Sequence, residues 1–484
     1  MFIGRNQELK KLNEMYLSDK FEFAIIYGRR RVGKTTLIRE FIKDKKAIYF
    51  VAREADGSVN LTGFSNDVYF VTAKELAQNA FFSDWEKAFD YIYQISKENR
   101  IVLAIDEYPS LAGGFSSISS ILQAHIDSQF KDGRLFLILC GSSMSFMENQ
   151  VLGYKSPLYG RRTAQFKIMP FGFFESMLFF DKSVASDKSE ASDKSGASNK
   201  PEVFEKTDKA VIYGITGGIP EYLSKIDASK PIGDNIVELF LTASGSLYEE
   251  PSNLLKQELR EPATYNGIIE AIAGGATRLS EIATKCGIES NKCAKYLKSL
   301  ISLGIIKKEF PVTEMSSKKS IYLLDDMMFR FWYRFVFPNM SGIASGLGRA
   351  VYKHTVIENL PAYMGLVFEE ICKQYMIEEA KRETLPFFIS KIGRWWGGNP
   401  KKKRQEEIDI LAYHKDSALF GECKWTNAQV DVDVLCDLEA QSELFPYKKK
   451  WFWLFAKTGF TDRLTGEAEK REDVRLVKFE DMVE

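Results

Sequence analysis

The chain is poor in the residues that build metal cages and disulfide frameworks. It has three histidines and six cysteines in 484 residues, and no CxxC pair among Cys140, Cys286, Cys293, Cys372, Cys423 and Cys436. That scarcity argues against a zinc ribbon or a cross-linked scaffold and predicts free thiols. Net charge is absent too, since 66 basic side chains meet 66 acidic ones. Without a global field, any attraction to nucleic acid must be local. No apolar run is long enough to span a bilayer, and the opening MFIGRNQELKKL lacks the apolar core of a secretory leader. A cytoplasmic protein without a membrane partner is expected.

What is present is a soluble globular composition, 45% hydrophobic and 27% charged, on a chain too long for one core. About three domains of ~150 residues each are expected. Apolar strand-like runs (FAIIYG, IVLAID, LFLILC) alternate with helical patterns over residues 1–180, which predicts an α/β domain with a mostly parallel sheet. Residues 181–201 repeat the unit ASDKS and carry almost nothing apolar, so they read as a flexible insertion. Residues 202–260 read as a small helical lid. Residues 261–326 hold three short helical patterns and two strand-like pieces, the order of a winged helix-turn-helix. Residues 327–484 form the remaining unit.

The stretch GRRRVGKTT satisfies GxxxxGK[ST] and lies where the mechanism needs it, after the strand FAIIY and before the helix TTLIREFI. Gly28 and Gly33 free the backbone to wrap its amides around phosphates. Lys34 reaches the β and γ phosphates, and Thr35 offers a hydroxyl to Mg²⁺. The whole cradle comprises Gly28, Arg29, Arg30, Arg31, Val32, Gly33, Lys34, Thr35 and Thr36, and its expected ligand is ATP or ADP with Mg²⁺. A second apolar strand, IVLAIDEY, delivers Asp106 to the metal and Glu107 to the place of a water-activating base. The next strand, LFLILCGSS, ends in Ser142 and Ser143, polar groups placed to sense the γ phosphate or the lytic water. Arg161 and Arg162 stand just before another strand. Either is a candidate cationic finger for the transition state, Arg162 being the one carried into the catalytic set, while solvated loop arginines are the plain alternative.

FIGRNQEL, GRRRVGKTTL, LAIDEY, CGSS, LYGRRT and GGIPEYL together resemble the prokaryotic STAND-type P-loop ATPases, relatives of the AAA+ and origin-recognition ATPases. The resemblance covers residues 1 to about 330. It implies an adenine and ribose contact near Gly4 and Arg5. It also implies a lid whose GGIP turn touches the nucleotide through Pro220, and an ATP-driven molecular switch.

In the last helical pattern of the winged segment, Cys293, Leu297, Leu300 and Ile301 fall on one face and Lys292, Lys295 and Lys298 toward the other. Such a helix is either a DNA-contacting one, favouring phosphates over bases, or a module that packs within the protein.

The hairpin EEIDILAYHKDSALFGECKW places Asp409 on one strand and Glu422 and Lys424 on one face of the next, since strand side chains alternate. The pattern D-x12-E-x-K resembles that of the PD-(D/E)xK nucleases. There, two carboxylates hold Mg²⁺ and the lysine orients the attacking water. A third carboxylate comes from a preceding helix, and Glu369 in YMGLVFEEICKQYM fills that place. Between them KIGRWWGGNPKKKRQ reads as a basic, aromatic loop for phosphates and stacked bases. The segment resembles the C-terminal domain fused to archaeal and bacterial ATPases of this kind, which implies an α/β restriction-endonuclease-like fold and DNA as partner. Surface ion pairing of Asp409, Glu422 and Lys424, in a domain that binds DNA or protein without chemistry, is the alternative, and a protein partner or self-association is expected through the ATPase and winged-helix segments.

Overall fold

The computed structural model describes residues 2–76, 80–180, 204–314, 319–400 and 402–483. The insertion expected at 181–201 lies outside the described residues. The chain divides into two compact units, one running to Phe171 and including Ile219–Glu221, the other made of Gly172–Gly218 and everything from Tyr222 onward.

In the first unit the strands β1 (Glu22–Tyr27), β2 (Ala47–Val51), β3 (Ile101–Asp106), β4 (Leu135–Gly141) and β5 (Ala164–Lys167) form one sheet in the order β2-β3-β4-β1-β5. All four pairings are parallel. β1, β3 and β4 are buried along their whole length because helices cover both sheet faces. Ile25, Leu103 and Leu137 join the core on one side, and Ala24, Ile26, Val102 and Ile138 the core on the other. β5 has no buried residue, as suits an edge. The order puts β4 between β1 and β3, so the strand ahead of the glycine-rich loop and the acidic strand are not neighbours.

The second unit holds the rest. Helices Pro262–Ala273, Leu279–Cys286 and Ser290–Ser302 are followed by an antiparallel pair, β6 (Ile306–Glu309) and β7 (Ile321–Leu324). On the third of these helices Cys293, Leu297 and Leu300 are buried and Lys292, Lys295 and Lys298 exposed, but Ile301 faces solvent with Tyr296 buried in its stead. Hydrogen bonds tie this segment and the chain on either side of it together: the Tyr333 hydroxyl donates to Asn266 Oδ1 at 2.6 Å, Trp332 Nε1 donates to Tyr248 O at 2.7 Å, and the Tyr363 hydroxyl donates to Gly214 O and Met327 O. The expected lid, apart from Ile219–Glu221, falls in one unit with the winged segment and the C-terminal segment.

Beyond them, β8 (Lys391–Asn399), β9 (Arg404–His414), β10 (Ser417–Lys424), β11 (Lys449–Ala456) and β12 (Val474–Lys478) make a mixed sheet in the order β12-β11-β10-β9-β8. The pairings of β8, β9 and β10 are antiparallel, and those of β10, β11 and β12 parallel. Phe420, Phe452 and Leu454 pack with Leu435 and Leu438 on one face. On the other, the 25-residue helix Ile357–Lys381 sets Phe368 against Trp425 at 5.1 Å. Contrary to the loop expected from the sequence, KIGRWWGGN is strand β8. Trp395 is buried against Phe445, and the Trp396 indole donates to Lys319 O. Among the described residues, no helix is long and apolar enough to cross a membrane.

Candidate functional site: the phosphate loop and the acidic cluster

The loop after β1 turns through backbone that favours glycine. Gly33 has φ +88°, where a side chain is strained, and a Cβ at Gly28 would stand 2.3 Å from Ile168 O, where it clashes with backbone. Gly33 caps the helix Lys34–Ile42, whose first amides open onto the loop. Lys34 Nζ is held inside the loop, donating to Gly28 O at 2.9 Å and Arg29 O at 2.8 Å. Arg5 is buried. It donates to Val32 O at 3.2 Å and to Met169 O, with its guanidinium 4.2 Å over the Phe171 ring. A Cβ at Gly33 would lie 3.8 Å from Pro220 Cγ, which places Pro220 beside the loop. Gly4, Arg5 and Pro220 thus all border the cradle or its supports.

Asp106, at the end of β3, is buried and surrounded by donors. Thr35 Oγ1 and the Tyr49 hydroxyl both donate to its Oδ2 at 2.7 Å, and the Glu107 amide donates to Oδ1 at 3.0 Å. Burial alone would raise its pKa, but hydrogen bonds from Cys140, Tyr49, Thr35 and the Glu107 amide outweigh it and hold the carboxyl below its ordinary value. An ionised carboxylate beside a threonine hydroxyl is a hard-oxygen pair that suits Mg²⁺. Glu107 adopts a left-handed backbone, φ 52° and ψ 43°, at the start of helix Tyr108–Gly114. Its carboxylate meets the residue just past β4, where Ser142 Oγ donates to Oε2 at 3.0 Å. Ser142 thus reaches Glu107, the residue expected to be the base.

The two arginines separate. Arg161 forks onto Asp127, Nε to Oδ1 at 3.0 Å and Nη2 to Oδ2 at 2.5 Å, and also donates to Pro157 O. Arg162 makes no hydrogen bond or ion pair among the described residues and stays half-buried before β5.

In the second unit, Asp409 and Glu422 stand one step beyond the last paired residues of β9 and β10, Ile410 and Gly421. Asp409 Oδ2 accepts from the Cys423 amide at 2.9 Å, and Lys424 Nζ donates to Glu422 Oε1 at 2.6 Å. Burial, then the charges of Glu422 and Glu369, push the Asp409 carboxyl up to about 8 against the pull of the Cys423 amide and Lys424. Glu369, from the long helix, is raised by burial as well, with Arg394 opposing and Glu407 and Glu422 adding. The three carboxylates therefore share one electrostatic field.

Arg394 on β8 was not among the candidate residues, yet it lies in this cluster. Its guanidinium pairs with Glu369 at 3.3 Å, with Glu309 at 3.7 Å and with Glu407. Its sequence neighbours suggested a basic, aromatic loop for phosphates and stacked bases, whereas strand pairing places it on β8. With Glu422 turned to Lys424 and Glu369 to Arg394, no three His, Cys, Asp or Glu side chains among the described residues stand as a ready ligand set for a metal. The basic run behind β8 is also engaged: Arg404 pairs with Glu406 at 2.9 Å and Lys402 lies 4.0 Å from it, while Lys401 is outside the described residues. Tyr49 and Cys140, the added donors on Asp106, carried no sequence signal either, since they come from the strands on each side of β3.

A parallel sheet that ends in this loop, with an acid pair two strands away, defines a P-loop ATPase. Residues 2–226 match a family described as an ATPase domain predominantly from Archaea, and residues 332–435 a family described as archaeal and bacterial proteins of unknown function. An uncharacterized protein of Methanocaldococcus jannaschii is 36% identical over 446 residues, 90% of this chain and 89% of the relative. An uncharacterized ATP-binding protein of the same organism is 48% identical over 46 residues, 10% of this chain and 78% of the relative. The chain belongs to this family of archaeal-type ATPases. A Walker-type ATPase of Pyrococcus abyssi shares the fold at a TM-score of 0.50 and 19% identity, over 69% of this chain and 96% of that one.

Proposed function

We propose that the chain is an ATP-hydrolysing switch whose N-terminal ATPase governs the state of its C-terminal domain. The observation that carries this is the chain of contacts behind the phosphate loop, from Thr35 to Asp106 and from Glu107 to Ser142. Lys34, released from the loop carbonyls by a polyphosphate that competes for its charge, stabilises the transferred phosphoryl group. Thr35 and Asp106 would hold Mg²⁺, which neutralises phosphate charge when bound. Glu107 accepts the proton of the attacking water, and Ser142 orients that carboxylate. Arg162 is the remaining cation for the transition state, because Arg161 is committed to Asp127.

For the C-terminal domain, the reading best matched to its residues is a Mg²⁺-dependent, nuclease-like site acting on DNA. The approach of Glu422 and Glu369 to Asp409 supports it, since their charges add to burial in raising the Asp409 carboxyl, and a cation there would relieve that repulsion. Asp409, Glu422 and Glu369 would hold the ion, which would polarise a phosphodiester, and Lys424 would position the water. The competing reading is a nucleotide-gated regulatory or binding module without chemistry, and the ion pairs of Lys424 and Arg394 favour it. Purified protein incubated with supercoiled, linear and single-stranded DNA, with and without ATP and Mg²⁺, decides between them. Metal-dependent cleavage supports the nuclease reading. ATP hydrolysis with no cleavage of any substrate leaves the module.

A further inference from the structure

Tyr49 lies on β2 with Ile48 and Phe50 turned into the core on the opposite face. Strand alternation points its ring to the side of the sheet that carries the helix Lys34–Ile42, where it packs half-buried against the core of that side. β2 pairs with β3 in the register Tyr49 to Ala104 and Val51 to Asp106. The side chain therefore runs along the sheet face toward the carboxylate at the strand end. Its hydroxyl donates to Oδ2 of Asp106 at 2.7 Å, the same oxygen that Thr35 Oγ1 reaches at 2.7 Å. The Arg39 guanidinium, one turn beyond Thr35 on the same helix, stands 5.5 Å over the Tyr49 ring.

We propose that Tyr49 is a positioning residue of the ATPase site, fixing Asp106 for the metal-bearing half of the nucleotide complex through Oδ2. The physical case is that Asp106 ends a strand and is free to rotate about χ1 and χ2 unless its oxygens are tied. Thr35 cannot be the whole tie, because its hydroxyl oxygen is the group expected to face Mg²⁺. Tyr49 comes from the neighbouring strand β2, outside the phosphate loop, and reaches Asp106 from the opposite side of the strand order to β1. A hydrogen bond to an ionised, buried carboxylate is among the stronger ones in proteins, so its removal is measurable.

This inference rests on the ATPase reading, and the test separates the two. Binding of a fluorescent ATP analogue and ATP hydrolysis are measured on the full chain and on Tyr49→Phe, which keeps the ring and its packing and removes only the hydroxyl. A wild-type chain that neither binds nor hydrolyses ATP overturns the ATPase reading itself. If the wild type is active, Tyr49→Phe is expected to bind the analogue as the wild type does in EDTA, while the Mg²⁺ concentration for half-maximal hydrolysis rises about tenfold. Wild-type Mg²⁺ dependence in the variant, or an equal loss of affinity with and without Mg²⁺, overturns the proposal. An unchanged thermal transition shows that the fold survives. If that transition drops, the same readings taken at a temperature below it, where the variant is folded, decide by the same criteria.

Discussion

The Ser142 hydroxyl donates to Oε2 of Glu107 across 3.0 Å, from a strand that lies between the phosphate loop and the acid pair. A base held by one directional bond presents its other oxygen in a defined place. Glu107→Gln is therefore expected to retain ATP and lose turnover by about 100-fold or more, because the acceptor for the water's proton is gone. Ser142→Ala is expected to lower kcat about tenfold with KM unchanged, the cost of one hydrogen bond to a charged group. Steady-state kinetics on both variants check this, and a raised KM with intact kcat in Ser142→Ala would move Ser142 from the base to the nucleotide.

Lys34→Ala should behave differently from both. It removes a charge that the phosphates need in the ground state and the transition state alike, so nucleotide affinity and hydrolysis fall together, turnover by about 100-fold or more. Equilibrium binding beside turnover measures the two losses. Normal affinity in this variant would refute the assignment.

Arg161 and Arg162 predict opposite outcomes. Hydrogen bonds from Arg161, opposed by slight burial and helped by Lys131, hold the Asp127 carboxyl below its ordinary value. A carboxyl depressed in the folded state adds stability above its unfolded pKa and loses it as pH falls through the folded one. Asp127→Asn should thus cost stability at pH 7 and nothing once the pH is below the folded pKa. Because the pair is partly exposed, the cost is about 1 kcal/mol or less. Denaturation of wild type and variant between pH 7 and pH 3 measures it. Arg162→Ala is expected to leave that curve alone and lower kcat. A variant with lowered stability and full turnover would return Arg162 to the scaffold.

Arg394 tests the acidic cluster. Its guanidinium is mostly buried between Glu369 and Glu309, so Arg394→Met leaves carboxylates facing one another without a counter-ion. A loss of about 3–5 kcal/mol is expected. Millimolar Mg²⁺ should restore part of it in chemical denaturation, and the absence of any recovery would count against a cation site there.

Glu422→Ala and Lys424→Ala are expected to leave ATP hydrolysis at wild-type rates, since neither residue belongs to the ATPase unit. Each should abolish any Mg²⁺-dependent DNA cleavage. Cleavage that persists in both variants means the pair at 2.6 Å is only a charged pair on one strand.

The phosphate loop was legible from nine consecutive residues because its chemistry is local. Glycines, lysine and threonine must be contiguous for one turn of backbone and one helix end to surround a phosphate. Asp106 and Glu107 were legible for a related reason, as the polar end of an apolar strand. What tertiary structure alone decided is everything that depends on which strands and helices become neighbours. β4 entered between β1 and β3 and brought Ser142 to Glu107, while β2 brought Tyr49 to Asp106. A helix before β5 brought Asp127 to one arginine of an adjacent pair, a choice that identical side chains in a row cannot announce. In KIGRWWGGN the glycines and charges favoured a loop. Pairing with β9 and burial of Trp395 made a strand of it and carried Arg394 in among the carboxylates, because hydrogen bonding and apolar burial across a sheet outweigh the preferences of a nine-residue segment.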